Sequence, residues 1–434
     1  KNLLAKSEET MRKLRLALFS VLHVSALHTK SRDPVMGFRI FGRARKVFLP
    51  QDRGEESPAC LDGSPYAFFF VPSKTNSTRW TISIEGGGWC WDEHRCVNRQ
   101  DFENLGTSTR LSTNAECDCM NVDEYGNADK DCNCIMMPYC DGSSFSGFRK
   151  EPWINPNNKS QHAYFRGIKN FDGTMDFAFA HGLETASDFV LTGGSAGGLS
   201  TLLHIDRIAE RLAEKAPNCK VQGLPVGGFF LDHEPFTEES RKRGLSLLSS
   251  GTDQDYHYIP TGPSYTDLIQ YAFKMHNITF GRDGLASECG NAYPTTPYLC
   301  FMSPHMLKYV KTPVFLFNSR FDAWQLSNVL RVRYGRPTQA ELDAISKFGD
   351  DFLEQFGEVR RATKNGAVVT TCVCHACKWG ELEVDGKSAF QHYADWATGK
   401  TKGDAAIHVD GRGPNGDGSL NSSIWCEHIP LKLT

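Results

Sequence analysis

The 434-residue sequence lacks a strong charge of either sign, since 48 basic and 51 acidic residues give a formal net charge of −3. It has no long basic run, so it offers no electrostatic footprint for nucleic acid. It also lacks an uninterrupted apolar run of about 18–20 residues, so no membrane span is predicted. No internal repeat and no long low-complexity segment is present. With 40% hydrophobic residues, the composition is that of a globular protein with ample material for a large core.

Cysteine, in contrast, is abundant. The 15 cysteines cluster in Cys-x-Cys pairs, and oxidising compartments favour disulfides at such density. The odd count leaves at least one thiol free or paired outside the chain. An acidic insertion near residues 115–134 carries four of them, for which nested disulfides are expected: Cys117, Cys119, Cys132 and Cys134.

The N-terminal region is typical of a secretory signal peptide. Residues 11–15 are basic, residues 16–27 are apolar, and Val24 and Ala26 give a small-residue cleavage pattern. We interpret residues 11–27 as this signal, with an amphipathic helix as the alternative, and expect a secreted, extracellular protein that begins near Leu27. Four glycosylation sequons are compatible with secretion: Asn76, Asn158, Asn277 and Asn421.

The hydrophobic pattern predicts an α/β fold with a mostly parallel central sheet flanked by helices. Short apolar runs predict strands at residues 66–71, 80–84, 189–192, 228–231, 314–318 and 367–371. Helical periodicity is found at residues 199–212, 303–310 and 340–362. We expect one domain over residues 55–400, followed by a peripheral tail over residues 401–434, and we expect a monomer.

The run Gly193-Gly194-Ser195-Ala196-Gly197-Gly198 joins a predicted strand to an amphipathic helix. A strand, a sharp Gly-x-Ser-x-Gly turn and a helix form the nucleophile elbow of serine hydrolases, although a plain flexible turn is the alternative. Ser195 is therefore the candidate nucleophile. The backbone N–H of Ala196 is the expected first donor to an oxyanion.

A second glycine-rich turn follows an earlier predicted strand, in the run Ile84-Glu85-Gly86-Gly87-Gly88-Trp89-Cys90. Successive glycines let the backbone approach a substrate closely, and oxyanion donors come from such a turn in hydrolases with an elbow. No Gly-Lys-Ser/Thr follows, which argues against a phosphate-binding loop. Gly87 and Gly88 are the candidate further donors.

Several motifs in one order resemble the pectin acetylesterase family, which also includes the Notum-type carboxylesterases. They are residues 84–90, Tyr139-Cys-Asp-Gly-Ser-Ser-Phe-Ser-Gly147, Phe165-Arg-Gly167, residues 194–199 and Gly228-Phe-Phe-Leu-Asp232. The resemblance implies an α/β-hydrolase fold and ester hydrolysis by a Ser-Asp-His triad, without a metal or another cofactor. It further implies an acetylated polysaccharide or an acylated protein as the substrate.

The expected chain order of serine, acid and histidine indicates the other triad members. Asp322 follows a late strand at the position of the family's acid, although it could instead cap a helix that begins near Trp324. His375 follows the next strand in a motif that resembles the family's Cys-x-x-His, and is the candidate general base.

Metal binding is the alternative for two of these segments. Cys372, Cys374, His375 and Cys377 have ligand types that could hold zinc, and the acids of the insertion could ligate calcium, although their spacing does not fit an EF-hand loop. Secretion favours disulfides and solvated loops instead, so no metal site is predicted. We expect a disulfide between Cys90 and Cys96, and Trp89 and Trp91 are candidates for the substrate pocket.

Three functions are compatible with these residues. The first is an extracellular esterase that removes acetyl groups from a pectin-like polysaccharide, which Gly88 and Trp89 favour through the resemblance. The second is a Notum-like deacylase acting on a lipidated protein. The third is an inactive relative that binds glycans, against which the complete set of Ser195, Asp322 and His375 argues.

Overall fold

The structure is a computed structural model. It describes residues 38–39, 44–101, 105–111, 117–236, 263–281, 284–332, 338–377, 380 and 382–411. The interpreted signal segment 11–27, the sequon at Asn421 and Cys426 lie outside these residues. Within the described part of the chain, no helix combines the length and the hydropathy that a membrane crossing would require.

Fifteen strands are described. They are β1 (Phe38–Arg39), β2 (Arg45–Phe48), β3 (Ala67–Val71), β4 (Arg79–Ile84), β5 (Asp118–Cys119), β6 (Asn133–Met137), β7 (Trp153–Asn155), β8 (Asn158–Ala163), β9 (Asp188–Gly194), β10 (Lys220–Val226), β11 (Phe315–Ser319), β12 (Gly366–Thr370), β13 (Glu383–Val384), β14 (Lys387–Ser388) and β15 (Ile407–Val409).

The described α-helices lie between and after these strands. They are α1 (Glu93–Asn98), α2 (Gly167–Ala180), α3 (Ala196–Lys215), α4 (Tyr265–Met275), α5 (Ser287–Ala292), α6 (Ser303–Met306), α7 (Ala323–Gln325), α8 (Gln339–Gln355), α9 (Gly357–Arg361) and α10 (Ala389–Ala397).

Nine strands form the central sheet, in the order β15-β12-β11-β10-β9-β4-β6-β3-β2. Only β3 within this sheet runs against its neighbours, since both β2 and β6 pair with it antiparallel and the other pairs are parallel. The predicted mostly parallel α/β fold is confirmed. Because the carboxyl ends of parallel strands share one edge, the loops after β4, β9, β11 and β12 meet there.

The strand predicted at residues 228–231 is wrong. The strand in this region is β10, Lys220–Val226, which pairs in parallel with β9 along its full length. Residues 228–231 follow it as a buried irregular segment, in which the backbone N–H groups donate to side chains, including Phe229 to Asn318 at 3.1 Å. Side-chain acceptors thus replace a sheet neighbour, and an apolar run alone does not distinguish these two forms of burial.

Helix α3 is more deeply buried than its amphipathic pattern predicted. The apolar residues from Leu199 to Leu212 are buried as the helical periodicity predicts, but the polar His204 and Asp206 between them are buried too. The His204 ring stacks on Phe171 with 3.9 Å between ring centroids. Asp206 accepts backbone hydrogen bonds of 2.8 Å from Lys311 and Thr312. The helix therefore packs on several sides, as expected for the helix that carries the elbow.

The main sheet extends beyond both expected boundaries of the 55–400 domain. At one edge β2 begins at Arg45, and at the other β15 pairs in parallel with β12. Residues 407–409 are therefore a sheet strand, not part of a peripheral tail. The turn-rich sequence just after them concealed this three-residue strand, which is too short to show a periodic pattern.

The cysteine-rich insertion lies at the opposite end of the strands from the site. Its disulfides, Cys117–Cys134 and Cys119–Cys132, are nested as expected. Three of the four cysteines lie before β6 and Cys134 is its second residue. The first residue of β6, Asn133, pairs with Trp80 near the start of β4, so the insertion lies at the amino end of these strands. The insertion therefore does not lie at the mouth of the site, because it precedes its strand whereas the site residues follow the ends of their strands.

The acidic residues of the insertion bind the protein's own groups. Asp131 accepts hydrogen bonds from the backbone of Lys74 and from the Ser73 and Thr75 hydroxyls. Partial burial raises the pKa of Asp131, but these hydrogen bonds outweigh it and lower that pKa to about 2. Asp129 pairs with Arg79 at 3.0 Å. Both carboxylates thus stabilise the loop through contacts with the protein itself.

Replacing Asp131 with Asn should lower the free energy of unfolding at pH 7 by about 1 kcal/mol, after allowance for solvent screening. The folded pKa lies below the unfolded value, so this stabilisation is present above about pH 4 and is lost as the pH falls towards 2. Urea unfolding of both proteins at pH 7 and pH 2.5 measures it. An equal difference between the two proteins at both pH values would contradict the assignment.

Candidate active site

Ser195 lies in the tight turn between β9 and α3. Its backbone has φ 58° and ψ −124°, in the left-handed region that non-glycine residues rarely adopt. Its N–H donates to the Val226 carbonyl at 2.8 Å, which ties the turn to β10. A Cβ on Gly197 would lie 2.3 Å from the Ile84 carbonyl oxygen, so only glycine lets helix α3 begin this close to β4.

The three residues of the predicted triad form one hydrogen-bonded chain. His375 Nε2 lies 2.7 Å from Ser195 Oγ, and His375 Nδ1 lies 2.7 Å from Asp322 Oδ2. Because a carboxylate can only accept, Nδ1 carries the proton and donates to Asp322, which leaves Nε2 to accept from the Ser195 hydroxyl. The side chain of Asp322 is fully buried and that of His375 is 9% exposed. This arrangement can deprotonate the serine during attack on a carbonyl carbon.

Asp322 serves both roles that its sequence position allowed. Oδ1 accepts from the Gln325 backbone N–H at 2.9 Å and so caps helix α7, while Oδ2 faces His375. The cap fixes the carboxylate in the orientation that the imidazole needs. The two interpretations of this residue were therefore not exclusive.

The glycine-rich turn after β4 lies against the elbow. A Cβ on Gly86 would be 2.3 Å from the Gly194 carbonyl oxygen and 2.9 Å from Ser195 Cβ. The Gly87 carbonyl accepts from Arg99 at 2.8 Å, and the Gly88 carbonyl accepts from the Tyr139 hydroxyl at 2.7 Å. Gly88 has φ 63°, and a Cβ there would meet no atom within 4 Å. Residues 86–88 thus border both the nucleophile and open space.

The segment that carries His375 is enclosed by disulfides. Cys374 is bonded to Cys377 across the histidine, and Cys372 is also disulfide-bonded. A cysteine that binds zinc has to be a thiolate, and these cysteines are held in disulfides, so the zinc alternative has no cysteine donors in this structure. Ala376, which separates His375 from Cys377, adopts φ 47° to close the short loop.

The expected bond between Cys90 and Cys96 is present and joins the glycine-rich turn to helix α1. His276 lies beneath it and hydrogen-bonds to the Cys90 carbonyl at 2.9 Å. Burial lowers the pKa of His276 to about 4, so it is neutral and donates from Nε2. These three residues also form a cluster of metal-ligand types, but both sulfurs belong to the disulfide.

The two candidate pocket tryptophans lie in different surroundings. Trp89 is 4% exposed, and its ring packs edge-on against Phe230 and Trp324 with 4.9 and 5.5 Å between centroids. Phe230 and Trp324 each lie 6.2 Å from the His375 ring. Trp91 instead lines a cavity of about 510 Å³ whose lining contains no triad residue. The structure therefore brings Trp89, but not Trp91, to the base.

Sequence reasoning missed three side chains that hold the glycine-rich turn. Arg99 and Tyr139 bind its carbonyls, and Ser144 connects it to the elbow through hydrogen bonds to Trp89 and the Ala196 carbonyl. Tyr139 and Ser144 lie in a motif that the family resemblance had identified without a role. Arg99 gave no signal beyond its position shortly after the Cys90–Cys96 pair.

A family model described as pectinacetylesterase matches residues 45–410, which include every residue of the site described above. The chain belongs to the pectinacetylesterase family. It is therefore related to carboxylic ester hydrolases, and the hydrogen-bonded serine, histidine and aspartate lie on a member of that family.

Curated relatives of this pectinacetylesterase family member fall into two groups. Pectin acetylesterase 11 of Arabidopsis thaliana is 28% identical over 357 residues, covering 79% of this chain and 82% of the relative. The palmitoleoyl-protein carboxylesterase NOTUM of Drosophila melanogaster is 27% identical over 348 residues, covering 76% of this chain but only 45% of the relative. Sequence identity alone does not separate these groups.

A solved structure of the Wnt deacylase Notum from Drosophila has the same fold. The superposition has a TM-score of 0.64 with 22% identity, and it covers 83% of this chain and 94% of that one. The predicted α/β-hydrolase-like fold of this pectinacetylesterase family member is thereby confirmed. At this identity the likeness concerns the fold alone.

Replacing Asp322 with Asn separates its two roles. Asn is as good a helix cap as Asp, so stability should change little. The amide cannot hold the Nδ1–H tautomer, so kcat on p-nitrophenyl acetate should fall by roughly 10⁴-fold. Thermal unfolding and ester turnover are measured together. Retention of most activity by Asp322→Asn would contradict the assigned role.

Proposed function

We propose that this chain is an extracellular serine esterase that removes acetyl groups from a pectin-like polysaccharide. The observation that carries this proposal is the chain of 2.7 Å contacts from Ser195 through His375 to Asp322. Such a chain activates a hydroxyl for acyl transfer. Family membership supplies the reaction class, and the relatives named pectin acetylesterases supply the substrate.

Acylation begins when Ser195 Oγ attacks the ester carbonyl carbon while His375 Nε2 takes its proton. The carbonyl oxygen becomes an oxyanion, which the N–H groups of Gly87, Gly88 and Ala196 stabilise. The ester C–O bond then breaks, and the His375 imidazolium gives its proton to the departing sugar oxygen, which leaves as a hydroxyl group. Asp322 stabilises the imidazolium throughout.

Deacylation repeats these steps with water. His375 removes a proton from a water molecule as its oxygen attacks the acetyl-Ser195 carbonyl. The second tetrahedral intermediate collapses, the bond to Ser195 Oγ breaks, and the proton returns to the serine. Acetic acid leaves and the enzyme is restored, with no metal or redox partner needed for the balance.

The aromatic rings beside His375 support a short acyl group. Trp89, Phe230, Tyr265 and Trp324 pack against one another, with 4.9–6.4 Å between ring centroids. The Trp89 indole N–H donates to Ser144 Oγ at 2.9 Å, so this ring has a fixed position. A long fatty chain would have to displace packed rings, whereas an acetyl group needs little room.

Secretion is supported by six described disulfides, which join Cys60–Cys140, Cys90–Cys96, Cys117–Cys134, Cys119–Cys132, Cys289–Cys300 and Cys374–Cys377. Such density is typical of oxidising compartments. The sequon residues Asn76, Asn158 and Asn277 are exposed, so each can be reached by a glycosylating enzyme.

Removal of a fatty acyl group from a protein is the second candidate. It is supported by the relatives named palmitoleoyl-protein carboxylesterase and by the shared fold. The two functions differ in the length of the acyl group, so a series of esters distinguishes them.

The test compares turnover of p-nitrophenyl acetate and p-nitrophenyl octanoate by the wild type and by Trp324→Ala, with Ser195→Ala as the blank. The wild type should prefer acetate. Removing the Trp324 ring should raise the ratio of octanoate to acetate kcat/KM by about tenfold or more, since each extra buried methylene contributes to binding.

A second measurement tests the polysaccharide substrate: release of acetate from acetylated galacturonan by the wild type and by Ser195→Ala. A wild type that prefers octanoate would overturn the acetylesterase proposal in favour of a fatty-acyl substrate. Equal turnover by the wild type and Ser195→Ala would overturn the enzyme mechanism itself and leave the glycan-binding alternative.

A further inference from the structure

We propose that Arg99 is a positioning residue that orients the oxyanion-binding peptide between Gly87 and Gly88. This inference rests on the proposed function, because it concerns the same reaction. The inference follows from two features that hold the backbone beside Ser195: the buried guanidinium of Arg99, and the turn in which Ser144 and Phe145 have positive φ.

Arg99 is a buried cation that contacts the glycine-rich turn. It follows helix α1, is 8% exposed, and forms no direct salt bridge with any residue that the structure describes, although the buried Asp141 carboxyl interacts with its charge at longer range. Its Nη2 donates to the Gly87 carbonyl at 2.8 Å, and its guanidinium lies 5.7 Å from the Tyr139 ring. Burial lowers the pKa of Arg99, and Tyr139 and Asp141 offset only part of this effect. Burying a charge without a direct salt bridge costs free energy, and here that cost places the guanidinium on the turn.

The hydrogen bond from Arg99 to the Gly87 carbonyl also fixes the direction of the Gly88 N–H, which belongs to the same peptide group. In a trans peptide the C=O and the next residue's N–H point in opposite directions. When Arg99 holds the Gly87 oxygen, the Gly88 N–H must point away from Arg99. Gly88 borders open space on its own side, which is where a substrate oxyanion can approach. The positive charge also polarises this peptide, which makes the N–H a stronger donor.

Tyr139 and Ser144 also hold backbone carbonyls near Ser195 by hydrogen bonds, those of Gly88 and Ala196. The Tyr139 hydroxyl donates to the Gly88 carbonyl and accepts from the Ser144 N–H at 2.9 Å. The Ser144 hydroxyl accepts from Trp89 and donates to the Ala196 carbonyl at 2.8 Å. One short turn therefore connects the glycine-rich segment with Ala196, the donor on the elbow.

That turn is itself held in a strained conformation. Ser144 and Phe145 are consecutive buried residues with φ 53° and 58°, a combination that costs free energy. Asp141 Oδ2 accepts from the Ser143 N–H, the Ser143 hydroxyl and the Phe145 N–H, which stabilises the strained backbone. A turn retained at such cost is expected where the position of backbone groups matters for function.

The test uses Arg99→Met, Arg99→Lys and a matched control, Arg166→Met. Arg166 is also a buried arginine, 2% exposed, whose guanidinium donates to a backbone carbonyl, that of Lys150. Arg99→Met should lower kcat on p-nitrophenyl acetate by roughly 100-fold with little change in KM, the effect of losing one oxyanion donor. Arg99→Lys should recover part of this loss, and the control should retain kcat within about threefold.

Inhibitor binding separates positioning from a general structural role. A trifluoromethyl ketone forms a tetrahedral adduct with the serine and uses the oxyanion donors, whereas a substrate-like alcohol binds without them. Arg99→Met should weaken the ketone by about the same factor as kcat and leave the alcohol unchanged. Near-UV circular dichroism and thermal unfolding report whether each variant is folded.

The outcomes distinguish this inference from the proposed function. An inactive wild type would overturn the proposed function. An active wild type with full kcat in folded Arg99→Met would overturn the role of Arg99 alone. Equal loss of ketone and alcohol binding, or an equal loss of kcat in Arg166→Met, would also overturn it, because the effect would then be structural.

Discussion

The close approach of helix α3 to the ends of β4 and β10 is the constraint on which the site depends. Side chains larger than hydrogen at Gly86 or Gly197 would overlap backbone atoms of the neighbouring segment, so the glycine-rich turn and the elbow can touch only at these positions. The same approach forces Ser195 to φ 58° and leaves its hydroxyl where His375 can reach it. A residue keeps such an unfavourable backbone conformation only when the contacts around it hold the backbone there. Here the hydrogen bond from the Ser195 N–H to the Val226 carbonyl and the burial of helix α3 hold it.

The disulfides lie where this support is most needed. Cys90–Cys96 follows the glycine-rich turn, Cys374–Cys377 encloses His375, the proposed base, and Cys60–Cys140 adjoins the turn that contains Ser144. Cys60–Cys140 thus ties its turn to a segment distant in sequence, whereas the other two disulfides close short loops beside residues of the site. Loops are the parts of a fold that open most readily, and a covalent link limits that motion. The cysteine content therefore reflects the need to hold loops in place, in addition to the compartment in which the protein is expected to fold.

Much of the fold and the members of the site followed from local patterns. The elbow, the glycine-rich turn and the late-strand loops each have a short sequence signature, and parallel strands place such loops at one edge without further information. The failures share a different cause. Residues 228–231 have the composition of a strand but satisfy their backbone through side chains, and residues 407–409 form an edge strand too short to show a period. Arg99 was missed because its contact joins an arginine to a main-chain carbonyl, and no residue type marks that carbonyl.

In the proposed mechanism, the choice of acyl group and the oxyanion geometry are linked through Trp89. Its ring packs on Phe230 and Trp324 beside the base, while its indole N–H binds the Ser144 hydroxyl that also contacts Ala196. A change at Trp89 would therefore disturb the donors as well as the pocket wall. Trp324 contributes a ring to the same wall, and its described side-chain contacts are ring contacts with Trp89, Phe230, Tyr265 and His375. Acyl-length preference can thus vary at Trp324 without loss of the catalytic geometry, whereas variation at Trp89 requires compensation in the turn that holds Ser144.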